Sequence, residues 1–225
     1  MQGLEGIADQ VRKDLEARNI ARDEALTNSR QLIRNSANTI RAVHRGEYDL
    51  ATDLLTEAGR IAASTKSVLQ RYPDLYWTGY VQDAQKEYSE ARLFFAMAHN
   101  DPLPGPPDIG VEIAPYLNGL GEAAGEMRRY ALDLLRRNET ARSELALEAM
   151  DDIYGVLVTI DFPDALTGGL RRTTDMVRGV LEKTRGDLTM AVRQADLEHA
   201  LGHFEAVVRG EVANRTGEPE PPDED

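Results

Sequence analysis

The chain has 225 residues, of which 41% are hydrophobic and 29% charged, with 26 basic against 39 acidic side chains and no cysteine. That is enough chain for a real core. It excludes a disulfide framework, thiolate zinc, iron–sulfur clusters and a cysteine nucleophile. The acidic balance argues against a simple nucleic-acid coat protein, which normally shows a basic excess. That average hides local contrast: Glu218, Glu220, Asp223, Glu224 and Asp225 crowd the last eight residues, and lysine is confined to Lys13, Lys66, Lys86 and Lys183 while arginine is plentiful. No apolar run approaches the roughly 20 residues of a membrane span, and the N-terminus mixes charges where a signal peptide would be apolar. The expected location is the cytoplasm, without membrane attachment.

Taken in chain order, residues 2–45 predict one long helix, with Leu26, Ile33, Ala37, Ile40 and Val43 recurring at helical spacing and Gly46 ending it. The spacing Leu50, Leu54, Ala58, Ile61, Ala62, Thr65, Val68 and Leu69 predicts a second helix over about 47–71, closed before Pro73 and paired with the first as a hairpin. A third runs from Pro73 to about Ala98, carrying Trp77, Tyr80, Val81, Ala84, Tyr88, Ala91 and Phe95 on one broad face. HNDPLPGPPDIG, residues 99–110, is a loop, because four prolines and two glycines do not sustain a helix.

A fourth helix, with Pro115 in its first turn, reaches about Asn138, and a fifth covers about 141–160. After a break at Phe162-Pro163, a final helix of some forty residues carries Leu166, Leu170, Val177, Leu181 and Leu188 at spacings of four and seven. With no strand pattern, the fold class is all-α: a single domain of six or seven mostly long helices over 1–212, followed by a disordered acidic tail over 213–225.

Two acidic clusters stand out. Glu87 and Glu90 in QKEYSEARLFF share a helix face, with Asp83 a turn earlier; Glu122 and Glu126 in PYLNGLGEAAGEMRR are four apart, among small residues that let another helix approach. If the two helices pack together, four carboxylates converge. Like charges at short range require a cation, and an all-oxygen set selects Mg²⁺ or Mn²⁺, ions suited to phosphodiester or pyrophosphate hydrolysis. The competing explanation is two ordinary solvated helix faces. A di-iron bundle would need Glu-x-x-His pairs, and none of His44, His99, His199 and His203 has a glutamate three residues before it. Each histidine reads as a surface or core residue. No phosphate loop, nucleophile elbow or dinucleotide fingerprint is present.

Arg30, Arg34, Arg41 and Arg45 fall within about 60° of arc on the first helix, beside its apolar face. They form a rail suited to phosphates, with Ser29 and Asn38 as added hydrogen-bonding groups; the competing explanation is a salt-bridged face. The later row Arg171, Arg178 and Arg185 alternates with Asp175 and Glu182 and reads as ion pairs. Trp77, Tyr80 and Tyr88 sit at helical spacing, which favours a core role over base stacking.

Taken together, ANTIRAVHRGEYDLA, QKEYSEARLFF, PYLNGLGEAAGEMRR and LRRTTDMVRGVLEKTRGDL make residues 15–210 resemble the translin superfamily, particularly its translin-associated factor X branch. The resemblance implies a seven-helix fold of largely antiparallel helices assembling into a hollow octamer. Single-stranded RNA, or single-stranded DNA, would bind inside. In the factor X branch a Mg²⁺-dependent endoribonuclease site is built from carboxylates. Glu87, Glu90 and Glu126 match that branch's glutamates, and Glu122 stands where its eukaryotic members usually carry aspartate. The implied assignment is therefore Glu87, Glu90, Glu122 and Glu126 as catalytic metal ligands for Mg²⁺ or Mn²⁺, with Arg30, Arg34, Arg41 and Arg45 holding the strand in a homo-oligomer. The alternatives are a translin-like binding protein that does not cut, and an all-α nucleoside-triphosphate pyrophosphohydrolase. The latter normally carries Glu-x-x-Asp where Glu122 is followed by Gly125.

Overall fold

The computed structural model describes the backbone of residues 3–215 and side chains through residue 210. Among these residues there are only helices: α1 (Leu4–Arg45), α2 (Tyr48–Val68), α3 (Pro73–Tyr76), α4 (Gly79–His99), α5 (Pro106–Ile109), α6 (Ile113–Leu135), α7 (Thr140–Leu157), α8 (Asp164–Thr167) and α9 (Leu170–Arg215). Six are long and three are single turns. The chain divides into two compact units, Met1–Thr184 and Arg185–Asp225, with the boundary inside α9. Of the acidic tail expected over 213–225, residues 213–215 are the last described residues of α9 and 216–225 lie outside the described residues. No described helix is long and apolar enough to cross a membrane.

Gly46 ends α1 as expected. Its φ of 75° is the left-handed conformation glycine adopts without steric cost, and its N–H and that of Glu47 close on the carbonyls of Val43 and Ala42 at 2.9 Å each. The α1–α2 hairpin follows, but α2 buries Ala51, Leu55, Ala58, Ile61 and Thr65 while Leu50 is 47% exposed. The adjacent pair Leu54-Leu55 fits either of two apolar faces, and packing selects the one that contains Leu55.

The single helix expected over 73–98 is interrupted at Trp77-Thr78, where Thr78 takes extended geometry (ψ 150°) to cap α4. Trp77 leaves the apolar face as a result and is 60% exposed. In the last helix, Leu170, Val177 and Leu181 are buried as expected, but Leu166 sits in α8 and is 66% exposed.

Two hairpins, α1–α2 and α6–α7, are antiparallel, whereas α4 runs in the same sense as both α1 and α6. Against α1, Val81 near the start of α4 joins the cluster of Ala21 and Ala25, and Phe94 near its end lies 4.8 Å from the His44 ring. Against α6, the start of each helix is tied by a small network. Tyr76 Oη donates to Glu112 Oε1 (2.8 Å), Gln85 Nε2 donates to Tyr76 Oη (3.0 Å), and the Glu112 N–H donates to Gln85 Oε1 (2.9 Å). Near the other ends, Tyr130 meets Phe94 edge-on at 6.2 Å. The proline-rich segment 100–112 must therefore return along α4, a distance of roughly 30 Å. Fully extended it reaches roughly 40 Å, which leaves enough length to span that distance even with the single helical turn α5 inside it.

Helices α4 and α6 approach each other closely. A Cβ added at Gly119 would lie 2.6 Å from the Lys86 carbonyl oxygen, 2.7 Å from Ser89 Cβ and 2.9 Å from the Glu90 nitrogen. Only hydrogen fits. Around this point Ala91, Ala123 and Ala124 are fully buried. Since all three clashes would involve backbone or Cβ atoms that cannot swing away, Gly119→Ala is expected to destabilise the fold by about 2 kcal/mol or more in a urea titration, despite its better helix propensity. Gly125, where an added Cβ meets nothing, is the control: Gly125→Ala should be neutral or stabilising.

Candidate functional site

The Gly119 contact places the two acidic clusters side by side. Oxygens of Glu87, Glu90 and Glu122 lie within 4.8 Å of one another, close enough for one ion to bind all three. Glu87 and Glu122 are about one-third exposed, and Lys86 reaches into the cluster with its ammonium 2.6 Å from Glu122 and 3.5 Å from Glu87. Burial works against that charge on Lys86, but the hydrogen bond and charge of Glu122, with Glu87, win, and its pKa is raised.

Glu90 differs from its neighbours. It is 9% exposed and accepts no hydrogen bond and forms no ion pair among the described residues. Burial first, then the charges of Glu122, Glu87 and Glu126, push its pKa up from 4.5 to about 8, with Lys86 only partly offsetting them. A buried carboxylate with no partner is costly, and the fold retains one here at the centre of an all-oxygen donor set.

Glu126, the fourth residue of the expected set, stands apart from the trio. Its Oε2 lies 2.5 Å from His44 Nε2 and 4.0 Å from Arg129. An ionised carboxylate only accepts, so Nε2 carries the proton of that hydrogen bond. The imidazole is 4% exposed, packs on Phe94, and leaves Nδ1 buried and unpartnered. His44 is thus a core residue, as its sequence context suggested, but one that fixes the orientation of a site carboxylate. Neither His44 nor Lys86 was among the residues singled out for the site. The only signal available was the place of Lys86 beside Glu87 in a lysine-poor chain. Nothing local in sequence links His44 to a residue eighty-two positions away.

Arg30, Arg34, Arg41 and Arg45 are all exposed. Arg41 donates to Asn38 (2.9 Å) and Arg45 lies 3.6 Å from Glu47, while Arg30, Arg34 and Arg41 have no carboxylate partner among the described residues. A salt-bridged face does not describe them. On α1, His44 projects about 70° from the mean direction of this rail, while the residues that α1 buries centre nearly opposite it, so the rail lies on the outward face of the helix and not beside its apolar face as the spacing suggested. Ser29 does not join it, being 3% exposed. On α9, Arg178 pairs with Glu182 at 3.1 Å, as its alternating charges suggested.

The raised pKa of Glu90 has a measurable consequence. Because the folded chain keeps a proton that the unfolded chain releases at about 4.5, this group's contribution makes stability fall as pH rises from about 4.5 through about 8. In EDTA, Glu90→Gln should therefore unfold at higher urea concentration than the parent at pH 8.5, by up to a few kcal/mol. The two should converge near pH 4.5. An equal gap at both pH values would contradict the buried, charge-crowded environment.

No family model matches the chain. It is 29% identical over 182 residues to an uncharacterized protein of Methanocaldococcus jannaschii, a match covering 80% of each sequence. Among solved structures it resembles AfC3PO, both alone and in its complex with duplex RNA, at 33% identity and TM-score 0.78, covering 83% of this chain and 97% of AfC3PO. Apo-NeC3PO shares the fold at 22% identity and TM-score 0.73, with 85% of this chain and 98% of NeC3PO covered. With one residue in three identical across nearly all of a C3PO chain and the same all-α architecture, the protein belongs to the translin superfamily.

Proposed function

We propose that the protein is an RNA-binding, divalent-metal-dependent endoribonuclease whose metal ligands are Glu87, Glu90 and Glu122, with Glu126 held beside them by His44. The observation that supports this most is Glu90: a carboxylate buried without any partner, facing two others in a set that Mg²⁺ or Mn²⁺ satisfies. Lys86 brings one positive charge to Glu122 and Glu87, which supports reading the cluster as a place for cations. The side chains fit the metal that the resemblance implies. When bound, that ion supplies Lewis-acid neutralisation of the scissile phosphate and an activated water.

The rest falls to the chain itself. Glu87, Glu90 and Glu122 set the position of the ion; the His44–Glu126 pair fixes the next carboxylate, as outer partners commonly orient ligand shells. Arg30, Arg34, Arg41 and Arg45 bind backbone phosphates along the exposed face of α1. RNA as ligand is supported by the AfC3PO complex, in which the RNA is a duplex; single-stranded RNA or DNA is what the resemblance of sequence implies. Assembly into a homo-oligomer, an octamer by the same resemblance, is consistent with Leu4, Ile7, Val11 and Leu15. These repeat at helical spacing on α1 and are all about half exposed or more. An interior lined by the arginine rail would reconcile RNA binding with the net charge of −13. A cytoplasmic location fits a chain without cysteine.

The deciding experiment is cleavage of labelled single-stranded and duplex RNA by pure protein in Mg²⁺ or EDTA. Metal-dependent cutting is expected. It should fall on the order of a hundredfold or more in each of Glu87→Gln, Glu90→Gln and Glu122→Gln, with no further loss in a double variant, because the three act through one ion. His44→Ala should cost about tenfold to a hundredfold. RNA bound tightly but cut in no metal would leave a translin-like binding protein. Independently of cutting, Arg34→Ala and Arg41→Ala should each weaken RNA binding and lower the slope of log K against log salt by about 0.7 to 0.9.

A further inference from the structure

A groove of about 730 Å³ opens beside the carboxylates, between the α3–α4 break, α6, α8 and the first turns of α9. Lys86 and Glu122 line it as well as belonging to the acidic cluster, so groove and cluster share a wall. Its other walls carry Trp77, Leu166, Arg172 and Met176. Three of these are apolar groups left exposed, at 60% for Trp77, 66% for Leu166 and 38% for Met176. Arg172 is exposed and has no carboxylate partner among the described residues.

Neither the metal ligands nor the arginine rail accounts for these residues. Trp77 is exposed because the helix is broken at Trp77-Thr78, and its ring is braced edge-on by Tyr76 at 5.4 Å and 83°. A large, exposed aromatic side chain on the wall of a groove that mixes apolar and charged groups is a stacking platform for a planar ligand. An unpaired arginine across the same groove is a phosphate ligand. The volume lies within the range of about 300–1,000 Å³ typical of small-molecule sites, enough for one nucleotide with room for its neighbour's sugar.

We infer that this groove seats an unpaired nucleotide adjacent to the scissile phosphate, its base on Trp77 between Leu166 and Met176 and its phosphate on Arg172. The inference rests on the proposed nuclease reading, since it is the shared wall at Lys86 and Glu122 that puts the nucleotide next to the reacting phosphate. It assigns to Trp77 and Arg172 the single-strand preference that the family resemblance implies without naming residues. A base in this groove must be free of its partner, so the site selects single strands, loops or frayed ends over continuous duplex. A helix from a second copy is a weaker occupant, because it would bury Asp83, Lys86 and Arg172 along with the apolar groups.

Trp77 is the only tryptophan in the chain, so its fluorescence reports on this groove alone. The test titrates Glu90→Gln protein, in Mg²⁺, with an unlabelled single-stranded RNA octamer and with a blunt duplex of the same sequence, while filter binding measures affinity in parallel. Saturable quenching by the single strand, at the concentration where filter binding saturates, and little by the duplex is the expected result. Trp77→Ala should weaken single-strand binding about tenfold, Trp77→Phe should retain most of it, and Arg172→Gln should weaken it about threefold to tenfold. RNA bound with no change in emission, and with unchanged affinity in Trp77→Ala, overturns the inference and leaves the nuclease reading standing. Loss of oligomeric mass in Trp77→Ala with emission insensitive to RNA also overturns it, and assigns the groove to contact between copies. No binding of either RNA by filter assay defeats both readings.

Discussion

The α4–α6 contact at Gly119 is the constraint on which the site depends. At that point one helix backbone touches the other, and fully buried alanines extend the close approach in both directions. The acidic groups flank this contact, Glu87 and Glu122 partly exposed and Glu90 largely buried. Glu90, whose own nitrogen is part of the contact, is caught where its charge is poorly solvated and three other carboxylates act on it. Packing energy is being used to hold together charges that would otherwise separate, a local violation of ordinary stability rules of the kind found at functional sites. Lys86 offsets part of the repulsion from its partly exposed position, but it bonds Glu122 and Glu87 and leaves Glu90 unpartnered.

The parallel arrangement of α4 with α6 gives this contact its functional reach. In an antiparallel pair the two acidic clusters could still have crossed at one point, but the flanking groups would have been reversed. As the chain is built, the N-terminal side of the cluster opens into the Trp77 groove and the C-terminal side meets His44 at the end of α1, where the arginine rail also ends. Groove and carboxylates therefore adjoin within unit 1, while the arginine rail lies along the outward face of α1.

Much of the fold was legible from the sequence because helices are local. The α1 stop at Gly46, the proline-rich interruption after α4, the start of α6 around Pro115 and the break at Phe162-Pro163 each follow from backbone chemistry within a few residues. Errors fell where local rules are degenerate. Leu54-Leu55 fits two helix faces, and an apolar stripe through Trp77 conceals the break that Thr78 makes. The acidic pairs and the rail were likewise visible as periodicities, and the family resemblance rests on those same segments.

The sequence by itself determined which residues lie on common helix faces, and hence that two acidic pairs and an arginine row exist, because a helix maps spacing of three and four onto one side. Only the tertiary structure decided which of those faces meet. It joined Glu87 and Glu90 to Glu122 through a glycine, drew Glu126 aside to His44, inserted Lys86 among the carboxylates and set an exposed tryptophan at the mouth of the adjoining groove. Those outcomes depend on long-range packing and on a proline-rich return that makes α4 and α6 parallel, and neither leaves a periodic mark in the sequence.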